Sequence, residues 1–165
     1  MAFDAFLKLD GIKGESQDHK HKGEIDIESF SWGASQTGSS HTGGGGGAGK
    51  VDVHDIHFVK KIDSSTPLLF VKCAAGEHIK EANFVVRKAG GEQLEYLKYK
   101  FTDVLVSSVM PQGTAHTGGG DEIPTEGLSL NFAKVEIAYQ PQGSDGKAQG
   151  GPILGGWDVK ANKKV

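Results

Sequence analysis

The chain has 165 residues and a formal net charge of -3, a size that suits one domain around one hydrophobic core. Hydrophobic residues make up 36% of it, and no apolar run approaches a membrane span, so membrane insertion is not expected. The acidic balance, with no long basic run before the tail, argues against nucleic acid, which needs a basic face.

Met1 to Phe6 lacks the positive region and apolar core of a signal peptide. Synthesis in the cytoplasm is expected, with any export by a specialised route. Phe3, Ala5, Leu7 and Leu9 alternate along one face of a first strand. Ile25 and Ile27 start a second, which continues through Phe30-Ser31-Trp32 with its apolar parity shifted. One extra residue near Glu28-Ser29 swaps the faces, so a bulge is expected there. Val51 and Val53 face opposite to Ile56 and Phe58, so a strand over 51–61 is expected to be covered on both sides for part of its length. Ile79 to Lys88, the turn Ala89-Gly90-Gly91 and the run Gln93 to Met110 read as a hairpin with a long, bent second strand. Leu128, Leu130 and Phe132 form one face of the next strand. Val135, Ile137 and Tyr139 continue it with shifted parity, which predicts a bulge near Ala133-Lys134. A short last strand is read at Gly156 to Val159.

One stretch reads as helix. Pro67 suits a first helical position, Ser65 or Thr66 an N-cap, and Gly76 the left-handed residue that ends a helix. From Leu68 to Ala75 only Lys72 is polar, so the helix is expected to be covered on more than one side. Cys73 lies within it and reads as a small buried hydrophobe. The 25 glycines cluster at 43–49, 118–120 and 143–156. Two loops, Gly33 to Lys50 and Pro111 to Pro124, exceed the usual connection of about 4–6 residues. The fold expected is mainly β: a β-barrel of antiparallel strands, or a strongly bent sandwich. One flanking α-helix at about 65–75 and long Gly-rich loops complete it.

Few motifs carry chemistry. Gly44-Gly45-Gly46-Gly47-Ala48-Gly49-Lys50 fits G-x-x-x-x-G-K. Val51 stands where a phosphate-binding loop needs Ser or Thr, and a strand follows where it needs a helix. No nucleotide or other cofactor is expected. His19, His21, His54 and His57 lack further ligands at metal spacing and read as surface residues, His54 and His57 on opposite strand faces. No G-x-S-x-G elbow occurs. Ser31 points away from Phe30 and Trp32, so it belongs either to a plain solvated face or to a functional wall.

Seven stretches occur in order: Lys13-Gly14-Glu15-Ser16, Ser31-Trp32-Gly33, Gly43 to Lys50, Ser65-Thr66-Pro67, Arg87-Lys88-Ala89-Gly90-Gly91, Leu130-Asn131-Phe132-Ala133 and Tyr139-Gln140-Pro141-Gln142. Together they resemble the haemolysin-coregulated protein (Hcp) family, the tube protein of type VI secretion, over essentially the whole chain, as a single tube domain 1–165. The resemblance implies a non-enzymatic homo-hexameric ring that stacks on itself. It also implies sheath and spike proteins as partners, effector proteins carried in the lumen, and secretion without a signal peptide. On that reading Ser29 and Ser31 are lumen candidates. Ser40, His41, Gly43, Gly44, Gly45, Gly46, Gly47 and Lys50 are candidates for ring stacking, and Leu68, Phe70, Val71 and Lys72 for subunit contacts. The alternatives are a small secreted effector or enzyme with an unrecognised active site, and a ligand-binding barrel.

Overall fold

Period-two alternation carries most of the chain into strands. The computed structural model describes residues 2–38, 48–113 and 123–165. In order they form β1 (Phe3–Leu9), β2 (Ile25–Asp26), β3 (Ser29–Ser31), β4 (Ala34–Gly38), β5 (Ala48–Val53), β6 (Ile56–Lys61), α1 (Thr66–Ala75), β7 (His78–Lys88), β8 (Glu95–Gln112), β9 (Thr125–Tyr139), β10 (Ile153–Asp158) and β11 (Lys163–Lys164). The main sheet runs β11-β10-β9-β8-β7-β1-β2, with β6 and then β3 added beside β9. All its pairings are antiparallel.

β9 is the shared strand. β8 pairs along one of its edges throughout, while on the other edge β6 takes Thr125 to Leu130 and β10 takes Lys134 to Tyr139. The long central strands bend together. The buried residues of β9 change parity after Phe132, those of β8 between Phe101 and Val104, and those of β7 between Ile79 and Ala82. The three changes meet along the row Lys80, Asp103, Ala133, and Asp103 has a positive φ of 55°. The parity shift at Ala133-Lys134 is therefore the edge of a crease across three strands and not the bulge expected there, since the β8–β9 register runs through it without a shift. It lets one sheet cover the core from two sides. The core is aromatic at its centre: the Phe84 ring meets Phe30 and Phe58 edge-on, each at 4.9 Å, pairs worth about 0.5–1.5 kcal/mol beyond burial.

The mainly antiparallel β class with one helix is as expected, but the sheet does not close as an uninterrupted ladder. At the seam, residues 25–31 change partner instead of carrying a bulge. β2 pairs with β1 and β3 with β6, while the Ile27 N–H donates to the Ala5 carbonyl and the Glu28 N–H to the Val59 carbonyl. The single strand over 51–61 is also two. β5 pairs with β4 in a separate two-stranded arm, and the chain breaks at His54-Asp55 before β6 joins the sheet. The opposed parities of Val53 and Ile56 come from this break. Both long loops are shorter than expected, because β4 and β5 extend into the first and Pro111 and Gln112 pair with Glu126 and Thr125 in the second.

The helix spans Thr66–Ala75 and ends at Gly76, which has φ 64° and donates its N–H to the Cys73 carbonyl. Neither Ser65 nor Thr66 caps its start. Ser65 is itself helical in φ and ψ and its hydroxyl goes to Asp63 Oδ1, while the Thr66 hydroxyl donates to Glu126.

Candidate functional site

The outer face of the β3-β6-β9-β8 half carries a row of small polar side chains. Register brings Ser31 opposite His57, His57 opposite Ser129, and Ser129 opposite Ser108. Ser129 Oγ lies 2.6 Å from His57 Nδ1. The next row is Ser29, Val59, Gly127 and Met110. Ser29 and Ser31 are exposed, while Phe30 between them turns into the aromatic core. Trp32 also packs inward, and its indole N–H donates to the His54 carbonyl, 2.9 Å away. His54 and His57 line one shallow concavity with Ser31 and Asp55, because the break before β6 brings them to one side. The expectation of opposite faces assumed an unbroken strand.

The helix presents the second surface. Only Leu69 is buried, against the sheet; Leu68, Phe70 and Val71 are 47%, 63% and 55% exposed. Cys73 is half-buried against the core. The Lys72 ammonium donates to Glu77 at 2.6 Å. Among the described residues, then, only the sheet covers this helix, against the expectation of cover on more than one side. Two further exposed apolar residues, unmarked in the sequence reading, start β10: Ile153 is 64% and Leu154 74% exposed, on opposite faces of the strand. Their only sequence signal was that two large aliphatic residues stand side by side before Gly155-Gly156.

A buried charge cluster fixes the helix start to the sheet. Lys60 on β6 and Glu126 on β9 are register partners whose parity aims both inward, and they form an ion pair with neither side chain accessible. Lys60 also contacts Asp63 at 3.0 Å, and the Thr66 hydroxyl reaches Glu126 at 2.8 Å. Such clusters hold geometry because each buried charge must keep its partner.

A strap, residues 13–24, covers the outer side of β1. Phe6 is off the core parity of its strand yet only 5% exposed. The His21 ring stacks on it at 4.3 Å, and the Arg87 guanidinium also sits over the Phe6 ring, 4.9 Å from its centroid. Arg87 donates to Asp18 at 2.6 and 3.1 Å and to Asp4 at 3.1 Å. Each ring nitrogen of His21 lies 2.7 Å from a carboxylate oxygen, of Glu24 and of Glu95. His21 is therefore a buried clasp, not the surface residue expected. The strap folds back tightly at Gly14, where a Cβ would lie 2.6 Å from the Glu24 carbonyl oxygen. The hydrogen bond from Arg87 holds the Asp18 carboxyl well below the usual carboxylate range. Burial pushes Glu95 up, but its hydrogen bond with His21 and the Lys98 ammonium outweigh that and leave it lowered. Burial alone raises the Tyr99 hydroxyl.

Lys50 lies in β5, so a strand follows the glycine run, unlike a phosphate-binding loop. Ser40, His41 and Gly43 to Gly47 fall outside the described residues. Among the described residues no three His, Cys, Asp or Glu side chains group as metal ligands.

A family profile described as "Type VI secretion system effector, Hcp" matches residues 6–139. The chain belongs to the Hcp family. It is 51% identical over 163 residues to protein hcp1 of Pseudomonas aeruginosa, covering 98% of each chain. Its fold matches the crystal structure of Hcp1 from Salmonella typhimurium with a TM-score of 0.82 at 44% identity, all of both chains being covered. It matches another solved type six secretion system protein with a TM-score of 0.90 at 32% identity, over 99% of this chain and 100% of that one. Hcp membership makes this a type VI secretion protein of the tube and effector class, as the ordered motifs implied.

Proposed function

We propose that this Hcp protein works as a structural subunit whose copies close into a six-membered ring, and that the rings stack into an exported tube. The observation that carries the proposal is a pair of separate exposed apolar sites: Leu68, Phe70 and Val71 on α1, and the start of β10, where Ile153 and Leu154 project from opposite faces of the strand. A ring needs a heterologous interface, in which two different patches meet and the rotation closes. Exposed large apolar residues in patches mark such contacts.

In this reading the outer face with Ser29 and Ser31 lines the lumen. Its side chains are small and hydroxyl-bearing, which suits a passage that holds cargo without gripping it. The segment joining β4 to β5, with Ser40, His41, Gly43 to Gly47 and the flanking Lys50, makes the contacts between stacked rings. Sheath and spike proteins contact the assembled tube, and effectors occupy the lumen. The work is mechanical and steric rather than catalytic, and the chain forms one tube domain. Shortening Gly43–Gly47 is expected to leave rings in solution while stopping tube growth and secretion. Negative-stain images of the purified protein test the proposal: six-fold rings with a central hole are expected, and solid particles of monomer size overturn it.

A further inference from the structure

We propose that His57 makes the lumen face selective for acidic cargo, through a charge that each subunit switches on as pH falls; this rests on the ring and lumen reading above. His57 sits in the middle of the hydroxyl row, opposite Ser31 on one side and Ser129 on the other. The other groups around it come from four elements. Val59 and, beyond it, Lys61 share its face of β6, and Ser108 and Met110 lie across β9 on β8. Asn131 follows Ser129 along β9, and its amide donates to Asp55 at 2.9 Å. His54, across the shared concavity, lies 3.8 Å from Asp52. Among the described residues no carboxylate lies within ion-pair distance of His57. A positive charge there is therefore left for a partner to neutralise.

The bond to Ser129 permits both charge states. A hydroxyl can donate to a bare ring nitrogen or accept from a protonated one, so the 2.6 Å contact of Ser129 Oγ with His57 Nδ1 is compatible with either role of the ring nitrogen. Imidazole is the side chain whose ordinary charge change falls between about pH 5 and 8. Six copies around one lumen set a belt of imidazoles among hydroxyls, with no carboxylate of the described residues in ion-pair distance of His57. Between serines and beside Met110, this belt favours a polypeptide segment with carboxylates and some apolar surface.

The test uses the assembled protein and a fluorescently labelled octaglutamate peptide, with anisotropy read at about pH 5.5 and about pH 8 at one salt concentration. Binding is expected to be about fivefold tighter at the lower pH, the factor of a single solvent-exposed charge pair. His57→Ser, which extends the hydroxyl row, is expected to remove the pH dependence. His57→Lys is expected to bind tightly at both pH values. A His57→Ser protein that keeps the parent's pH response overturns the proposal. So does a parent with no pH response, or His57-dependent binding of a single-stranded oligonucleotide in place of the peptide. Light scattering on the same samples separates the two levels: a monomeric parent sinks the ring reading, whereas intact rings with a flat pH response sink this one.

Discussion

Lys60 and Glu126 face each other across the β6–β9 pair as an ion pair with both side chains fully shielded from water. One Glu126 oxygen, Oε2, has no hydrogen-bond partner among the described residues. Removing Lys60 leaves a buried carboxylate unpaired. Lys60→Met is therefore expected to lower stability by about 3–5 kcal/mol, while Lys60→Met with Glu126→Leu recovers most of the loss. Urea midpoints at one fixed protein concentration check this. A single variant as stable as the parent contradicts the cluster's role in docking α1.

The strap gives a pH prediction. The Asp18 carboxyl is held low in the folded protein by the hydrogen bond from Arg87, so it binds its proton less readily folded than unfolded. The stability it confers is then complete above its unfolded value of about 3.9 and is lost as pH falls through the lower folded value. The difference in urea midpoint between the parent and Asp18→Asn is expected to be constant from neutral pH to about pH 5 and to shrink below about pH 4. A difference that grows in acid reverses the sign and contradicts the clasp.

Neighbouring residues of α1 separate folding from assembly. Leu69 is fully buried while Phe70 is 63% exposed. Leu69→Ala is expected to destabilise the subunit by about 2–5 kcal/mol. Phe70→Ser, on the free side, is expected to change subunit stability by no more than about 0.5 kcal/mol yet to weaken ring closure. Circular dichroism with light scattering distinguishes the two. A Phe70→Ser protein that still forms full rings removes this face from the interface.

Lys50 is expected to have no nucleotide role. It sits within β5, a strand, whereas a phosphate-binding loop leads into a helix N-terminus. Lys50→Ala and the parent are both expected to show no heat of ATP or GTP binding in calorimetry. Saturable micromolar binding by the parent overturns this.

Much of the fold was legible because alternation reports local geometry. Leu7 and Leu130 announced their faces and Gly76 its turn; the parity change near Ala133 was visible too, but it reads as a bulge where the register in fact runs unbroken through a crease. What stayed hidden depends on distant partners. The seam at Ile27-Glu28 looks like a bulge because a change of partner also swaps the face. Nothing in the sequence analysis marked Lys60 and Glu126 as a pair, although each shares parity with its strand's buried residues, Phe58 for one and Leu128 for the other. That shared parity was the available signal. Phe6, apolar on the wrong face of β1, was likewise the sign that something covers it, but nothing local pointed to His21 and Arg87. Of the candidate site, the facing of Ser31 was readable from Phe30 and Trp32. The pairing of His57 with Ser31 and Ser129 required the register of β6.

The central claim is that copies of this chain close into a ring. Its most direct measurement is the solution mass by light scattering after size exclusion, at micromolar concentration. The chain mass is 17.4 kDa, and a closed six-membered ring predicts a single species of about 104 kDa, stable to dilution. A stable species at the mass of one chain contradicts the account.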